Sequence, residues 1–466
     1  MTHTWKSGLG TRLLSIGAGA LFLTAVTSAA HAAHYQVLTS TIAADLINSA
    51  DGYCSLAEAV KSINDGVTVA NCSDVNPADP GRISLVAAPN KPFATTHYVL
   101  NKQLNLNKAV LLTVAEEGLV AFIDSPGALA IKVNNGANVS LYGLEIKHTG
   151  TASGRLIWNA GTLSMASTTI RDGNVTTEPT GRGGGIYNEL TGNLSLTTSK
   201  VLNNHATRGG GIYNDNGVIQ YLDATISGNS ATVAGGGVYN FRSGTNPNAV
   251  AILSSVIDHN SAKYGAGLAN VGGQIFVYGA TSITSNSTVA GTVTNNTTEI
   301  CHKTTCVNTS TQNCSNGPCD GNGAGILNLD LDGTNFGNFH TAAPLTVSSN
   351  IALGYGGAIY STGNLNLSNT TMDSNKAKSG AAIFAAALLD SAKNPYPNYC
   401  ELLDTGGPSG MGFNTVTGTP ANTKYSIVDS TGAFGTACAF RGVFAGGNSS
   451  PTCNPAGVRA ENTCPQ

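Results

Sequence analysis

The sequence predicts an all-β chain folded as a parallel β-solenoid, in which short strands coil repeatedly around one axis. Two sequence motifs recur in phase with a period of about 25 residues, which is the length of one solenoid turn made of three short strands and three corners. Between the motifs lie alternating apolar runs such as Leu194-Ser195-Leu196, as expected for strands with one buried face. A propeller blade needs about 40 residues, and a leucine-rich repeat needs a leucine consensus, so neither fits.

The first motif is a glycine-led hexapeptide, Gly183-Gly184-Gly185-Ile186-Tyr187-Asn188. Its opening glycine allows a positive φ at a corner, its β-branched residue fills the interior, and its asparagine can bond to the asparagine of the next coil. The motif recurs, with increasing variation, at Gly209, Gly235, Gly265, Gly323, Gly356 and Gly380. The gap from Gly265 to Gly323 spans about two periods and contains a four-cysteine insertion.

The second motif is an apolar residue followed three positions later by asparagine, as in Val201 and Asn204. We expect each series of asparagines to form a ladder of stacked amides along the solenoid axis, with a structural role. The first predicted ladder contains Asn188, Asn214, Asn240, Asn270 and Asn328, and the second contains Asn204, Asn229, Asn260, Asn286, Asn350 and Asn375.

The amino terminus has the order of a secretory signal peptide: Lys6 and Arg12, an apolar run, and then Ala30-His31-Ala32. We therefore divide the chain into a signal peptide (1–32), a cap (33–91), a solenoid (92–390) with the insertion at about 296–322, and a carboxy-terminal region (391–466). After signal removal we expect no membrane span, and a secreted, extracellular or cell-surface location.

The cap should contain one short amphipathic helix that begins after Ser55. Ser55-Leu56-Ala57-Glu58 has the form of a capping box and is followed by apolar residues.

Ten cysteines, an even number, favour disulfides in an oxidising compartment, and those near the end predict a disulfide-stapled carboxy-terminal region. The candidates are Cys54, Cys72, Cys301, Cys306, Cys314, Cys319, Cys400, Cys438, Cys453 and Cys464; sequence does not settle how they pair.

Composition excludes several classes of protein. The chain has 466 residues with 23 basic and 26 acidic side chains, too few charges for a long coiled coil or a charged disordered tail. A net charge of −3 does not provide the basic face that nucleic acid requires. We expect no metal and no cofactor, because the cysteine spacing matches neither zinc nor iron–sulfur patterns.

Two motifs carry a resemblance to known families. Cys54-Ser55-Leu56-Ala57-Glu58-Ala59-Val60 resembles the CSLREA motif of exported bacterial right-handed β-helix proteins, with Ala57 in place of the usual arginine. Gly356-Gly357-Ala358-Ile359 and the apolar-x-x-Asn repeats are similar to the GGAI and FxxN repeats of polymorphic outer membrane proteins, whose passengers are β-helical adhesins. The resemblance implies a right-handed parallel β-helix exposed at a cell surface, and it specifies fold better than function.

Three functions remain open at this point. The first is a non-catalytic adhesin or matrix component that binds glycans or a surface partner, with self-association possible. The second is a polysaccharide lyase or glycoside hydrolase, although Asp172, Asp258 and Asp373 lie on separate coils rather than as a carboxylate pair. The third is a structural spacer or coat component.

One surface is a candidate for binding. Alternation directs Ile186, Ile212 and Val238 inward, so that the tyrosines that follow them should point outward from consecutive coils. A stripe of aromatic rings edged by guanidinium groups suits a sugar chain or an acidic partner, whereas the alternative is ring stacking that only stabilises the strands. The residues of this predicted stripe are Tyr187, Tyr213, Tyr239, Arg182 and Arg208.

Overall fold

In the part of the chain that the structure describes, the fold is a parallel β-solenoid with one short helix. The computed structural model describes residues 34–37, 54–69, 72, 81–86, 97–100, 102–115, 118–175, 181–243, 248–290, 300–302, 305–307, 321–329, 337–377, 381–385, 400–403, 410–411, 415–416, 427–429 and 439–441. The predicted signal peptide (1–32) lies outside these residues.

The largest sheet, sheet A, contains 22 strands arranged as two parallel runs. With strands numbered in chain order, the first run is β1 (His34–Val37), β2 (Gly81–Leu85), β5 (Val110–Val114), β8 (Asn138–Tyr142), β11 (Thr162–Ala166), β15 (Asn193–Leu202), β18 (Val218–Ser227), β21 (Ala249–Ile252), β25 (Gln274–Val277), β31 (Asn338–Thr341), β34 (Asn364–Ser368), β38 (Cys400–Leu403) and β42 (Ala439–Arg441).

The second run shares β15 and β18, whose ten residues each reach across both runs and join them into one sheet. Its other strands are β3 (His97–Val99), β6 (Ala121–Ser125), β9 (Leu144–His148), β12 (Thr169–Arg171), β22 (Val256–Asp258), β26 (Thr281–Thr284), β32 (Leu345–Ser348), β35 (Thr370–Asp373) and β39 (Gly410–Met411).

Sheets B and C form the other sides of the solenoid, and sheet C spans fewer coils than sheet B. Sheet B contains β4 (Leu104–Leu106), β7 (Leu129–Val133), β10 (Arg155–Asn159), β14 (Ile186–Asn188), β17 (Ile212–Asp215), β20 (Val238–Phe241), β24 (Leu268–Val271), β30 (Ile326–Leu329), β33 (Ile359–Ser361), β37 (Ile383–Ala385) and β41 (Ile427–Asp429). Sheet C contains β13 (Asn174–Val175), β16 (His205–Arg208), β19 (Ser230–Ala234), β23 (Ser261–Tyr264) and β27 (Ser287–Thr288), and the pair β36 (Lys376–Ala377) and β40 (Thr415–Val416) lies further along the same side of the stack.

The interior is a single apolar core in which equivalent residues of successive coils lie in register. In sheet B, Ile186 pairs with Ile212, and Ile212 pairs with Val238, and all three side chains are fully buried. The inward positions predicted by alternation are therefore confirmed. Because each coil contacts mainly its two neighbours, the core grows along the axis, as in other repeat architectures.

The corner before sheet B requires glycine. Gly209 has a φ of 62°, and a Cβ atom there would lie 2.5 Å from the carbonyl oxygen of Ile212. The prediction of a positive φ at the start of the glycine motif is confirmed at six positions: Gly183, Gly209, Gly235, Gly265, Gly323 and Gly356.

Helix α1 (Leu56–Asp65) begins where the capping box predicts. The Ser55 hydroxyl accepts a hydrogen bond from the Glu58 backbone N–H, and the Glu58 carboxylate accepts one from the Ser55 N–H. The helix ends at Gly66, which has a φ of 70°. A disulfide joins Cys54 to Cys72 and closes the segment that contains the helix. Among the described residues, no helix is long and apolar enough to cross a membrane.

The four-cysteine insertion leaves the stack without adding a turn. Strand β24 pairs directly with β30, so the gap of 58 residues is one coil plus an insertion rather than two periods. The insertion contains an antiparallel hairpin of β28 (Ile300–His302) and β29 (Thr305–Val307). Of the other predicted disulfide cysteines, Cys301, Cys306 and Cys400 lie in β28, β29 and β38, whereas Cys314, Cys319, Cys438, Cys453 and Cys464 lie outside the described residues.

The sheets extend beyond both predicted boundaries of the solenoid. At the amino-terminal side, β1 and β2 already belong to sheet A, before residue 92. At the other side, β38, β41 and β42 continue sheets A and B past residue 390. Strand pairing therefore continues across both boundaries, while the regular motifs weaken in sequence.

Candidate functional surfaces

The first asparagine series forms a continuous chain of side-chain amide hydrogen bonds along sheet B. Each Nδ2 donates to the oxygen of the next coil at 2.7–3.0 Å, and the asparagine side chains are fully buried. The chain runs through Asn159, Asn188, Asn214, Asn240, Asn270, Asn328 and finally Ser361. These amides bond one coil to the next, which leaves them unable to face a ligand.

The second asparagine series also forms a chain of side-chain amide hydrogen bonds, at the corner between sheets A and C. The Nδ2–Oδ1 distances are 3.0–3.1 Å along Asn204, Asn229, Asn260, Asn286, Asn350 and Asn375. The residue before each has a positive φ: Asn203, Gly228, His259, Ser285, Ser349 and Ser374. A left-handed residue at this point turns the chain so that the following asparagine points inward.

The predicted tyrosines form a stacked column on the outer side of sheet B. Tyr187, Tyr213 and Tyr239 lie in register, with ring centroids 5.6 and 4.9 Å apart and nearly parallel planes. They belong to a second apolar cluster, separate from the interior core, which also includes Phe241 and Tyr264. The column is thus directed outward, as alternation predicts.

The column is covered rather than exposed. Tyr213 and Tyr239 have no accessible surface, and Tyr187 retains 9%. Arg182, which precedes the positive-φ Gly183, lies over the Tyr213 ring at 5.6 Å, and Arg208 is itself buried. The rings therefore do not present the exposed stripe expected from the alternation, and Arg182 lies over the Tyr213 ring rather than beside it.

The electrostatics of the column are those of a structural cluster. The Tyr187 hydroxyl donates to Asp215 Oδ2 at 2.6 Å, and burial followed by the nearby Asp215 charge raises the Tyr187 pKa. The Arg155 guanidinium lies 4.9 Å from the Tyr187 ring centroid, and burial lowers its pKa to about 10. Cation–π and stacking contacts of this kind stabilise neighbouring coils.

A groove lies on the outside of sheet A, where its two runs meet. It has a volume of about 460 Å³ and is lined from five successive coils, at Thr198–Lys200, Asp223–Thr225, Ser254–Val256, Ala280–Ser282, and Pro344 with Thr346. Four strand spacings of about 4.8 Å give it a length of roughly 19 Å. The groove therefore runs along the solenoid axis and crosses the strands.

Hydrogen bonds between serine hydroxyls and backbone groups fix the floor of the groove. The Ser255 hydroxyl donates to the Leu222 carbonyl at 2.8 Å and accepts from the Ala224 N–H at 3.2 Å. Two coils earlier, the Ser199 hydroxyl donates to the Thr197 carbonyl and accepts from the Thr168 N–H. The bend between the two runs is thus held by buried hydroxyls, so the groove is preformed.

The lining of the groove is rich in hydroxyls and balanced in charge. Eight of its fourteen residues are serine or threonine, and its two charged side chains, Lys200 and Asp223, have opposite signs. One wall is a single row in register, Lys200, Thr225, Val256, Ser282 and Thr346.

Exposed aromatic side chains flank the groove on the side of the first run. Tyr221 and Tyr278 are 41% and 54% exposed, and each precedes a lining residue by two positions. Phe276 lies 5.9 Å from Tyr278 with nearly parallel rings and 6.0 Å from the His340 ring. Burial lowers the pKa of His340, so its ring is mostly neutral at pH 7.

The carboxylates noted in the sequence do not form a catalytic pair. Asp258 and Asp373 share a row, separated by Thr284 and Ser348, so three strand spacings, about 14 Å, lie between them. Glycosidase carboxylates lie about 5–9.5 Å apart. Asp172 instead pairs with Arg171 at 2.7 Å. Within the described residues, no group of three or more His, Cys, Asp or Glu side chains is placed to hold a metal ion.

Sequence reasoning missed the groove and its aromatic flank. The sequence does indicate outward-facing aromatic and hydroxyl side chains: Phe276 and Tyr278 alternate with the buried Ile275 and Val277, and hydroxyl pairs such as Ser282 and Thr284 occur nearby. The repeat spacing does not reveal where sheet A bends between its two runs, and the groove lies at that bend.

Comparison with known proteins gives one family match. A model of the Chlamydia polymorphic membrane protein (Chlamydia_PMP) repeat matches residues 344–362. No curated protein and no solved structure matches the chain. The matched segment contains strand β32, ladder residue Asn350, the Gly356 corner and strand β33. It therefore coincides with the repeating structural unit of the solenoid.

Proposed function

We propose that this chain is a surface-associated, autotransporter-like β-solenoid that acts as a non-catalytic adhesin or matrix component. The observation that carries the proposal is the match of residues 344–362 to a polymorphic membrane protein repeat, together with the recurrence of the same corners in other coils. The CSLREA-like segment at Cys54–Val60, which resembles a feature of exported β-helix proteins, supports the same assignment.

The architecture supports binding rather than turnover. A stack of coils presents long, rigid outer faces, and such faces are what solenoid proteins use for extended ligands. The separation of Asp258 and Asp373 is too large for the two-carboxylate mechanism of glycoside hydrolysis.

Export can be tested by comparing the full chain with a truncated variant. The full chain and a variant that lacks residues 1–32 are expressed in a bacterial host, and external protease and antibody labelling measure their exposure. We expect the full chain to reach the medium or the cell surface and the truncated variant to stay inside.

Adherence is measured separately, by retention of the purified chain on cultured cells and on polysaccharide-coated beads, with heat-denatured chain as the control. Retention without release of reducing or unsaturated sugar ends is expected. Intracellular retention of the full chain, failure to adhere to every surface, or release of sugar products would contradict the proposal.

A further inference from the structure

We propose that the groove on sheet A, together with Tyr221 and Tyr278, is a binding site for an uncharged polysaccharide that lies along the solenoid axis. This assignment rests on the proposed adhesin function and specifies its site and its ligand class. It replaces the tyrosine column of sheet B, whose rings are covered.

The shape of the groove selects an extended ligand. Its five contributing coils give about 19 Å of continuous surface, and one wall carries a hydroxyl at three of its five positions. A polymer can meet these hydroxyls at several positions along the axis, whereas a small ligand would use only part of the groove. The floor is fixed by the buried Ser199 and Ser255 hydroxyls, so little conformational freedom is lost when a ligand binds.

The chemistry of the groove selects a sugar. Hydroxyls both donate and accept hydrogen bonds, and Thr225, Ser282 and Thr346 present them in register along one wall. On the other side, the rings of Tyr221 and Tyr278 are exposed and can pack against the apolar face of a sugar ring while their hydroxyls stay in water. Polar groups opposite aromatic faces are the usual composition of ligand sites.

The charges select a neutral chain. Lys200 and Asp223 offset each other, and among the described lining residues Lys200 is the one basic side chain that could attract an acidic polymer. Asp223 also accepts a hydrogen bond from the Thr198 N–H at 3.3 Å, which holds its carboxylate at one end of the groove. An acidic polysaccharide would gain one cation and meet one anion, so its charge brings no advantage.

The test uses the purified full chain and a glycan array that carries neutral oligosaccharides (gluco-, manno- and galacto-oligomers) beside heparin and polygalacturonate. Affinity for the best neutral glycan is then measured by titration calorimetry. The test variant is Tyr221→Ser with Tyr278→Ser. The matched control is Tyr142→Ser, which removes a tyrosine of similar exposure (42%) from β8, outside the groove. Thermal unfolding checks that each variant is folded.

We expect binding of at least one neutral glycan, a loss of about tenfold in affinity for the double variant, which removes both aromatic contacts, and little change for the control. Thr225→Arg, which places a bulky cation in the groove, should also weaken binding. No neutral binding, preference for the acidic polymers, or unchanged affinity in the double variant would overturn the assignment. If cells are still bound in that case, the adhesin function stands without this site; if neither glycans nor cells are bound, both proposals fail.

Discussion

At the scale of single residues, Asn229 shows how much a buried amide does in this fold. Its Oδ1 accepts from the Asn204 N–H at 2.9 Å and from Asn204 Nδ2 at 3.0 Å, and its Nδ2 donates to the Val201 carbonyl at 2.9 Å and to Asn260 Oδ1 at 3.0 Å. It therefore satisfies polar groups of the coil on either side. Asparagine recurs at this corner because its amide both donates and accepts hydrogen bonds between coils.

Replacing Asn229 with alanine should lower the free energy of unfolding by about 2–5 kcal/mol, because it leaves buried donors and acceptors without partners at about 1–3 kcal/mol each. Urea or thermal unfolding followed by circular dichroism measures the loss. The control is Asn138→Ala, since Asn138 is exposed on β8 and its replacement should change stability by less than about 0.5 kcal/mol. Equal effects of the two substitutions would show that the amide ladder does not stabilise the solenoid.

At the scale of elements, helix α1 depends on local signals and on its contacts with the first coils. Ser55 and Glu58 exchange two hydrogen bonds at the amino end, and Leu56, Ala59 and Val60 are buried in the same core as the strands. A solenoid end needs protection of its apolar interior, and the packing of this helix provides part of it.

Substitution of Ser55 by alanine should lower stability by about 1 kcal/mol, because the Glu58 N–H loses the Ser55 hydroxyl as its acceptor, whereas the backbone N–H of residue 55 can still donate to the Glu58 carboxylate. Limited proteolysis near the amino end, together with thermal unfolding, reports the change. Lys61→Ala on the same helix is the comparison: Lys61 pairs with Asp65 on the exposed side, and surface pairs contribute about 0–1 kcal/mol. A greater loss from Lys61→Ala than from Ser55→Ala would contradict the role of the cap.

Elements whose signals are local could be predicted from the sequence, whereas surfaces formed between coils could not. The capping box, the positive-φ glycines and the inward Ile186 depend on a few neighbouring residues. The cover over Tyr213 depends instead on Arg182, 31 positions earlier and on the preceding coil. The groove likewise depends on a bend between two runs of one sheet. Alternation predicts which side chains point inward and which point outward, but it does not predict which of the outward ones stay exposed.

At the scale of the whole molecule, the solenoid is a one-dimensional stack that tolerates material outside it. Leu268 of β24 pairs with Ile326 of β30, and Asn270 Nδ2 donates to Asn328 Oδ1 at 2.8 Å, across a sequence separation of 58. The two ends of the excluded segment meet, since the Thr288 hydroxyl donates to the Gly321 carbonyl at 3.0 Å. The stack therefore continues as though the insertion were a loop on its side.

Replacement of residues 291–319 by a short Gly-Ser linker should leave the solenoid folded and as stable as the parent or slightly more so. The reason is that loop-closure entropy rises by only about 0.6 kcal/mol for each doubling of loop length, and shortening reverses that small term. Circular dichroism and the thermal midpoint measure the result, and glycan titration should be unchanged because the groove lies on sheet A.

The comparison is a variant that lacks residues 209–234, which form one whole coil. This deletion joins Arg208 directly to Gly235 and keeps the remaining coils in phase. That deletion takes away one set of coil-to-coil contacts and Asp223–Thr225 of the groove, so both stability and glycan affinity should fall. Unfolding of the linker variant, with the coil deletion tolerated better, would show that the insertion stabilises the stack rather than standing outside it.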